Sequence, residues 1–179
     1  MNLPKISIRI TSILMMSLIG LALMACSPKQ SFKNVDITGS KKFGTDFTLV
    51  DPDGKVRTLA DFKGKAVVIF FGYTQCPDVC PTTLTEMQQV MTLLGPQADK
   101  VQVLFVTVDP ERDSASILKQ YVPAFDSRFL GLRPADEAAL EKVTKDFMIY
   151  YKKVPGSSPG SYTICLLYTS DAADDTPCV

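Results

Sequence analysis

Two closely spaced cysteines are the residues of this sequence best suited to chemistry. Cys76 and Cys80 lie in the run CPDVCP, with three residues between them. That spacing lets the sulfurs form a disulfide or bind one soft ion. Cu(I) fits two thiolates because it is soft and accepts low coordination, whereas structural zinc takes four ligands. The alternative is a static disulfide or two buried thiols, which we disfavour because so small a loop gains little stability from closure.

The composition excludes several other kinds of function. The 179 residues include no histidine, so the chain alone cannot build a serine protease triad, a cysteine–histidine protease site or a histidine zinc site. Nineteen basic and 19 acidic residues cancel. No finger-like or RNA-binding spacing accompanies this balance, so we expect no nucleic-acid partner.

The cysteines follow a strand and precede a helix. The continuously apolar run 66–73 predicts a buried parallel strand, and a helix is expected to begin near Pro81 or Thr82. The thiols then lie at the carboxyl end of a strand and at a helix N-terminus, where free N–H groups favour a thiolate. Proline disfavours a helical conformation for the residue before it, so we predict that 76–80 is a turn leading into the helix.

The remaining pattern predicts an α/β fold with parallel crossovers. A Pro-Asp-Gly turn at 52–54 predicts an N-terminal hairpin. The helix after the cysteines carries one apolar stripe, in which we interpret Met87 and Met91 as core residues rather than copper ligands. Further elements are predicted at 101–108 and 129–132 (strands), and at 117–122 and 135–151 (helices).

An acidic turn, Asp109-Pro110-Glu111-Arg112-Asp113, follows the second central strand. Its side chains should therefore emerge at the same edge of the sheet as the cysteines. One interpretation is a turn with a helix cap at Asp113 or Ser114. The other is that Asp109 lies behind the cysteine pair and helps to orient it, without contacting a bound ion itself.

The N-terminus predicts export and lipid attachment. Lys5 and Arg9 precede an apolar run at 10–25, and Leu23-Met24-Ala25-Cys26 resembles a lipoprotein cleavage site. We predict a signal peptide at 1–25, lipidated Cys26 with a tether at 26–42, and a domain on the periplasmic side of a bacterial envelope membrane. An uncleaved leader helix with an incidental Cys26 is the alternative.

The C-terminal segment 165–179 lacks a clear period or helix cap. We expect it to be anomalous sequence from a frameshift or a truncated gene, so that the domain spans 43–164 and is incomplete. A genuine short tail is the alternative. Cys165 and Cys178 could form a second pair or add metal ligands, but their setting favours chance.

The stretches GYTQCPDVCPTTL and DPERD resemble the SCO/SenC family over roughly residues 47–164. The resemblance implies a thioredoxin-like fold with an N-terminal hairpin and a copper site that includes Cys76 and Cys80. It matches the aspartates of the family's acidic turn to Asp109 and Asp113. It also implies membrane-anchored copper delivery to the CuA site of cytochrome c oxidase, or reduction of that site's cysteines. The oxidase subunit carrying CuA is then the expected partner, with other periplasmic copper chaperones or thiol reductases.

The sequence departs from the family pattern at the third copper ligand, a histidine in an Asp-His-Ser-like segment. Tyr162-Thr163-Ile164 matches the approach to that segment, but Cys165-Leu166-Leu167 follows. Cu(II) prefers nitrogen ligands, so we expect only Cu(I) to suit this chain, and an intact parent to hold Cu(II) as well. With terminal strands and a helix missing, we expect weak Cu(I) binding or misfolding.

The sequence is compatible with three functions. They are a copper metallochaperone, an extracytoplasmic thiol-disulfide oxidoreductase without copper transfer, and a redox or copper sensor. Oxidoreductases of this fold favour two residues between the cysteines, so the three found here favour the metallochaperone.

Overall fold

The computed structural model describes residues 43–44 and 46–168. The predicted signal peptide, Cys26, the tether and Cys178 lie outside these residues. In the described part of the chain, no helix has both the length and the apolar character needed to cross a bilayer.

An N-terminal hairpin opens the described fold, as predicted. Strand β1 (Leu49–Val50) pairs antiparallel with β2 (Val56–Arg57). Gly54 takes a φ of 82°, which few residues other than glycine adopt readily. Asp51 accepts the N–H groups of Asp53 and Lys55 at 3.0 and 2.9 Å, and so closes the turn.

A parallel sheet forms the centre of the fold. Its strands are β3 (Ala66–Gly72), β4 (Val101–Thr107) and β5 (Leu130–Leu132), in the order β3-β4-β5. All three predicted central strands are confirmed to within a residue at each end. Backbone hydrogen bonds of 2.8 Å in both directions between Val50 and Arg133 join the hairpin to the chain just after β5.

Within the described residues, three α-helices pack against the sheet. They are α1 (Val79–Leu94), α2 (Ala115–Tyr121) and α3 (Glu137–Asp146). Helix α1 ends at Leu94, with Gly95 as its C-cap. Met91 is buried in the core and Met87 packs against it, as predicted for these two residues. One apolar cluster includes residues of α1, α2 and β4, and the other includes residues of β1, β4, α3 and β7.

The prediction of a helix from 135 to 151 is wrong at its C-terminal end. Helix α3 stops at Asp146, Met148 takes a φ of 54°, and strand β6 (Ile149–Pro155) follows. Leu140, Val143 and Phe147 do pack inward at helical spacing. The β-branched and aromatic run Ile149-Tyr150-Tyr151 favours a strand, and this preference outweighs the helical spacing that Tyr150 shares with the three residues before it.

Strand β6 pairs antiparallel with β7 (Tyr162–Tyr168). The strand continues past Ile164, where the predicted domain ended, and places Lys152 opposite Cys165. The sequence pattern predicted no partner strand for β7, because the first residues of β6 were assigned to the predicted helix 135–151.

The N-cap of α3 gives a test of how firmly this helix is held. Asp136 Oδ1 accepts the Ala139 N–H at 2.8 Å. We expect Asp136→Ala to lower the free energy of unfolding by about 1 kcal/mol, since a helix donor loses its partner. Urea denaturation measures the change. Asp136→Ser keeps a capping oxygen and should lose much less; equal losses for the two variants would contradict the capping role.

Candidate functional site

Cys76 and Cys80 lie where β3 passes into α1. The Cys76 N–H donates to the Tyr73 carbonyl at 3.2 Å, which makes a tight turn after the strand. The prediction that the helix begins near Pro81 or Thr82 is wrong by two to three residues: α1 begins at Val79, with Asp78 as N-cap, and Cys80 is helical. Pro81 is tolerated because it lies in the first turn, where backbone N–H groups have no hydrogen-bond acceptor within the helix, so its lack of an N–H costs no helical hydrogen bond.

The two thiols differ in exposure. Cys80 is 2% exposed, whereas Cys76 is partly exposed. The Cys80 N–H donates to Cys76 Sγ at 3.4 Å, so the first helical turn directs a donor at the more accessible sulfur. Both cysteines are free thiols.

Burial changes the ionisation expected of Cys80. Desolvation, followed by its hydrogen bond with Cys76, raises the pKa of the Cys80 thiol above its ordinary value. The expectation that the helix N-terminus favours a thiolate is therefore wrong for Cys80, where the cost of burying charge is the larger effect. Cys80 is protonated at neutral pH and must release a proton when it binds a metal or forms a disulfide.

Gly72 is the residue of β3 that makes room for the buried thiol. A Cβ added at this position would lie 3.1 Å from Cys80 Sγ and 2.8 Å from Phe105 Cε2. The Gly72 carbonyl also accepts the Val108 N–H at 2.9 Å, just beyond the end of β4. The end of β3 therefore packs against the Cys80 side chain and is itself hydrogen-bonded to the residue after β4.

Asp113 holds the loop that leads to Cys76. Its buried carboxylate accepts the Thr74 N–H at 3.1 Å, the Thr74 hydroxyl at 2.5 Å and the Thr107 hydroxyl at 2.5 Å. Burial raises the pKa of Asp113, against the opposing effect of these hydrogen bonds. Of the two residues predicted to cap the following helix, Asp113 and Ser114, the N-cap of α2 is Ser114, whose hydroxyl accepts the Ile117 N–H at 3.3 Å.

Asp109 is also buried, but it faces other groups. Its carboxylate accepts hydrogen bonds from Arg112 Nε and, at 2.9 Å, from the Tyr162 hydroxyl. Burial, and then the bond to Asp109, raise the pKa of Tyr162 to about 12, so the phenol stays protonated as the donor. Asp109 thus connects the acidic turn to the first residue of β7.

Arg112 was not singled out from the sequence, although the structure places it in the middle of this region. Its Nη1 donates to Gln75 Oε1 at 3.1 Å and to the Tyr162 carbonyl at 2.9 Å. Its guanidinium carbon lies 3.6 Å from the Tyr162 ring centroid and 5.8 Å from that of Tyr73. The sequence shows only that Arg112 lies between Asp109 and Asp113 in the acidic turn, and this does not reveal its contacts.

The donors offered to a metal are therefore two sulfurs. Among the described residues, no group of three or more histidine, cysteine, aspartate or glutamate side chains is placed to hold an ion. Asp109 and Asp113 are occupied by the hydrogen bonds above. Cys165, which stands where the family pattern has its Asp-His-Ser-like segment, lies in β7 and is not a free thiol. Two sulfurs suit a soft ion of low coordination number.

Comparison with protein families identifies the chain. The model of the SCO1/SenC family matches residues 35–165, which is well over half of the sequence. The chain belongs to the SCO1/SenC family. The family resemblance predicted from the cysteine and acidic-turn motifs is thereby confirmed.

Individual SCO relatives agree with this assignment. An SCO2-like protein of Rickettsia felis is 36% identical over 64% of this chain and 56% of its own length. The mitochondrial SCO2 homologue of Bos taurus is 40% identical over 66% of this chain and 45% of its own length. The chain thus spans about half the length of these curated relatives.

A solved SCO structure supports the fold. ScoI of Bradyrhizobium japonicum, solved with copper bound, is 44% identical and superimposes with a TM-score of 0.65 over 70% of this chain and 79% of that one. The α/β architecture is the thioredoxin-like fold of the Sco proteins, as predicted.

Proposed function

We propose that this SCO1/SenC protein binds Cu(I) through Cys76 and Cys80 and delivers it to the CuA site during cytochrome c oxidase assembly. The observation that carries the proposal is the pair of free thiols at the junction of β3 and α1, with the Cys80 N–H directed at Cys76 Sγ. A copper-bound relative of 44% identity supports the choice of metal.

The geometry suits copper as cargo rather than as a permanently buried group. Cys76 is accessible and can meet an incoming ion, while Cys80 supplies the second sulfur from the interior. Two thiolates satisfy Cu(I) but leave Cu(II) without the nitrogen it prefers. The chain holds no histidine to supply that nitrogen.

We also propose that lipid on Cys26 anchors the protein to a bacterial envelope membrane, with the domain on the periplasmic side. The basic residues, apolar run and small residues before Cys26 support this. Signal peptide 1–25 and tether 26–42 belong to the same proposal. An anchored carrier stays close to its proposed partner, the oxidase subunit that carries CuA.

Copper binding is testable by competition in anaerobic solution. We expect the full chain, purified in detergent micelles, to take Cu(I) from a chromogenic chelator, and Cys76→Ser/Cys80→Ser to bind one equivalent less. Removing both soft donors leaves hydroxyls, which Cu(I) binds poorly. Asp53→Ala removes an exposed side chain of the N-terminal hairpin and leaves both thiols in place, so it is the control and should retain that equivalent. Equal copper uptake by the wild type and the double variant would contradict the proposal.

A thiol-disulfide oxidoreductase is the second candidate, favoured by the close contact between the Cys80 N–H and Cys76 Sγ. The same preparations can be assayed for reduction of insulin disulfides by added dithiothreitol. Turnover that depends on both cysteines, without a cysteine-dependent copper equivalent, would support the oxidoreductase over the copper carrier.

A further inference from the structure

Arg112 bridges the loop before Cys76 and the start of β7. On the loop side it donates to Gln75 Oε1 and lies over the Tyr73 ring. On the β7 side it donates to the Tyr162 carbonyl and stacks on the Tyr162 ring. A planar guanidinium can make these contacts at once, because its donors form a fixed fork and its face stacks on aromatic rings.

The guanidinium is itself held in place. The Asp109 side chain is 1% exposed, and one of its carboxylate oxygens accepts a hydrogen bond from Arg112 Nε. The other oxygen accepts a hydrogen bond from the Tyr162 hydroxyl. The Arg112 side chain is 20% exposed. A second link closes the arrangement: the Ile164 N–H donates to the Tyr73 hydroxyl at 3.4 Å.

We propose that Arg112 is a positioning residue for the cysteine pair. It fixes the segment Tyr73–Gln75 against β7, so that Cys76 stays beside the buried Cys80. Asp109 acts through Arg112 rather than on the sulfurs. The predicted effect of Arg112 on Cu(I) affinity rests on the proposed function. Its predicted effect on how closely the two thiols are held does not.

Two measurements separate these consequences. The first is Cu(I) affinity by chelator competition. The second is the equilibrium with glutathione, in which both thiols and one glutathione disulfide give the Cys76–Cys80 disulfide and two glutathione thiols. The thiol protons pass to the glutathione released. This equilibrium gives the effective concentration of one thiol at the other and needs no copper. Mass mapping of the Cys76–Cys80 disulfide excludes the other cysteines.

Arg57 offers a matched control. Its Nε pairs with Asp51 at 2.8 Å, its side chain is 25% exposed and that of Asp51 is 3% exposed. This ion pair resembles that of Arg112 and Asp109 but lies in the N-terminal hairpin. Arg57→Met therefore reproduces the loss of an arginine from a buried carboxylate without touching the cysteine loop.

For Arg112→Met we expect Cu(I) affinity and the effective thiol concentration each to fall by about tenfold. Arg57→Met should change neither, even where urea denaturation shows similar losses of stability. Arg112→Lys keeps the charge beside Asp109 but not the fork, so it should fold like the wild type and still show reduced values. This variant decides the question if Arg112→Met does not fold.

Unchanged thiol equilibrium in Arg112→Lys, or equal effects of the Arg112 and Arg57 methionine variants, would overturn the positioning role. A wild type without a cysteine-dependent copper equivalent would instead overturn the proposed function. In that event the glutathione arm still decides the role of Arg112.

Discussion

Asp113→Ala should lower the free energy of unfolding by about 3 kcal/mol or more, the largest loss expected for a polar side chain of this site. The carboxylate is buried and accepts three hydrogen bonds, from the Thr74 N–H and from the hydroxyls of Thr74 and Thr107. Alanine leaves these donors in the interior without an acceptor. Urea denaturation of the full chain measures the loss.

Asp53→Ala is the control for removing a carboxylate. Asp53 is 70% exposed and pairs with Lys119, which is 63% exposed, so its loss should cost less than about 1 kcal/mol. Asp113→Asn keeps the shape but turns amide hydrogens toward some of the same donors, and we expect an intermediate loss. A loss for Asp113→Ala no larger than that for Asp53→Ala would show that the loop does not depend on this carboxylate.

Gly72→Ala should disturb both the core and the proposed copper site. The added Cβ would meet Phe105 Cε2 at 2.8 Å and Cys80 Sγ at 3.1 Å, and Phe105 is fully buried. Overpacking of this kind costs about 1–3 kcal/mol. Because one displaced atom is a proposed copper ligand, we also expect Cu(I) affinity to fall on the order of tenfold. Denaturation and chelator competition measure the two effects.

Gly131→Ala separates the two effects of Gly72→Ala. Gly131 lies in β5, where an added Cβ would lie 3.2 Å from Leu118 Cβ and from Val122 Cγ2. This substitution should also lower stability, but it overpacks the sheet against α2, away from the cysteines. If both glycine variants weaken copper binding equally, the loss follows general destabilisation and the contact with Cys80 is not its cause.

The cysteine pair and its place in the fold were predictable because their signals are local. A continuous apolar run, two nearby thiols and a proline at the start of a helix specify a strand, a turn and a helix in that order. The start of α1 was misplaced because Pro81 was expected to exclude Cys80 from the helix. In the structure Asp78 is the N-cap and Cys80 is already helical.

The features that sequence reasoning missed depend on residues far apart in the chain. Arg112 contacts Gln75 and Tyr162, which are 37 and 50 positions away. No pattern in the acidic turn shows that its arginine faces inward, because that depends on where β7 returns. Strand β6 was missed for a related reason: Tyr150 continues the spacing of Leu140 and Val143, and only the backbone turn at Met148 breaks it.

The unequal burial of the two thiols gives them an order of use. A reagent arriving from solvent, whether an ion, an oxidant or the thiol of another protein, meets Cys76 before Cys80. Cys80 can respond only after that encounter, and it must shed its proton to do so. If the pair exchanges an ion or a disulfide as proposed, we therefore expect the exchange to be sequential, with Cys76 reacting first and Cys80 completing the transfer.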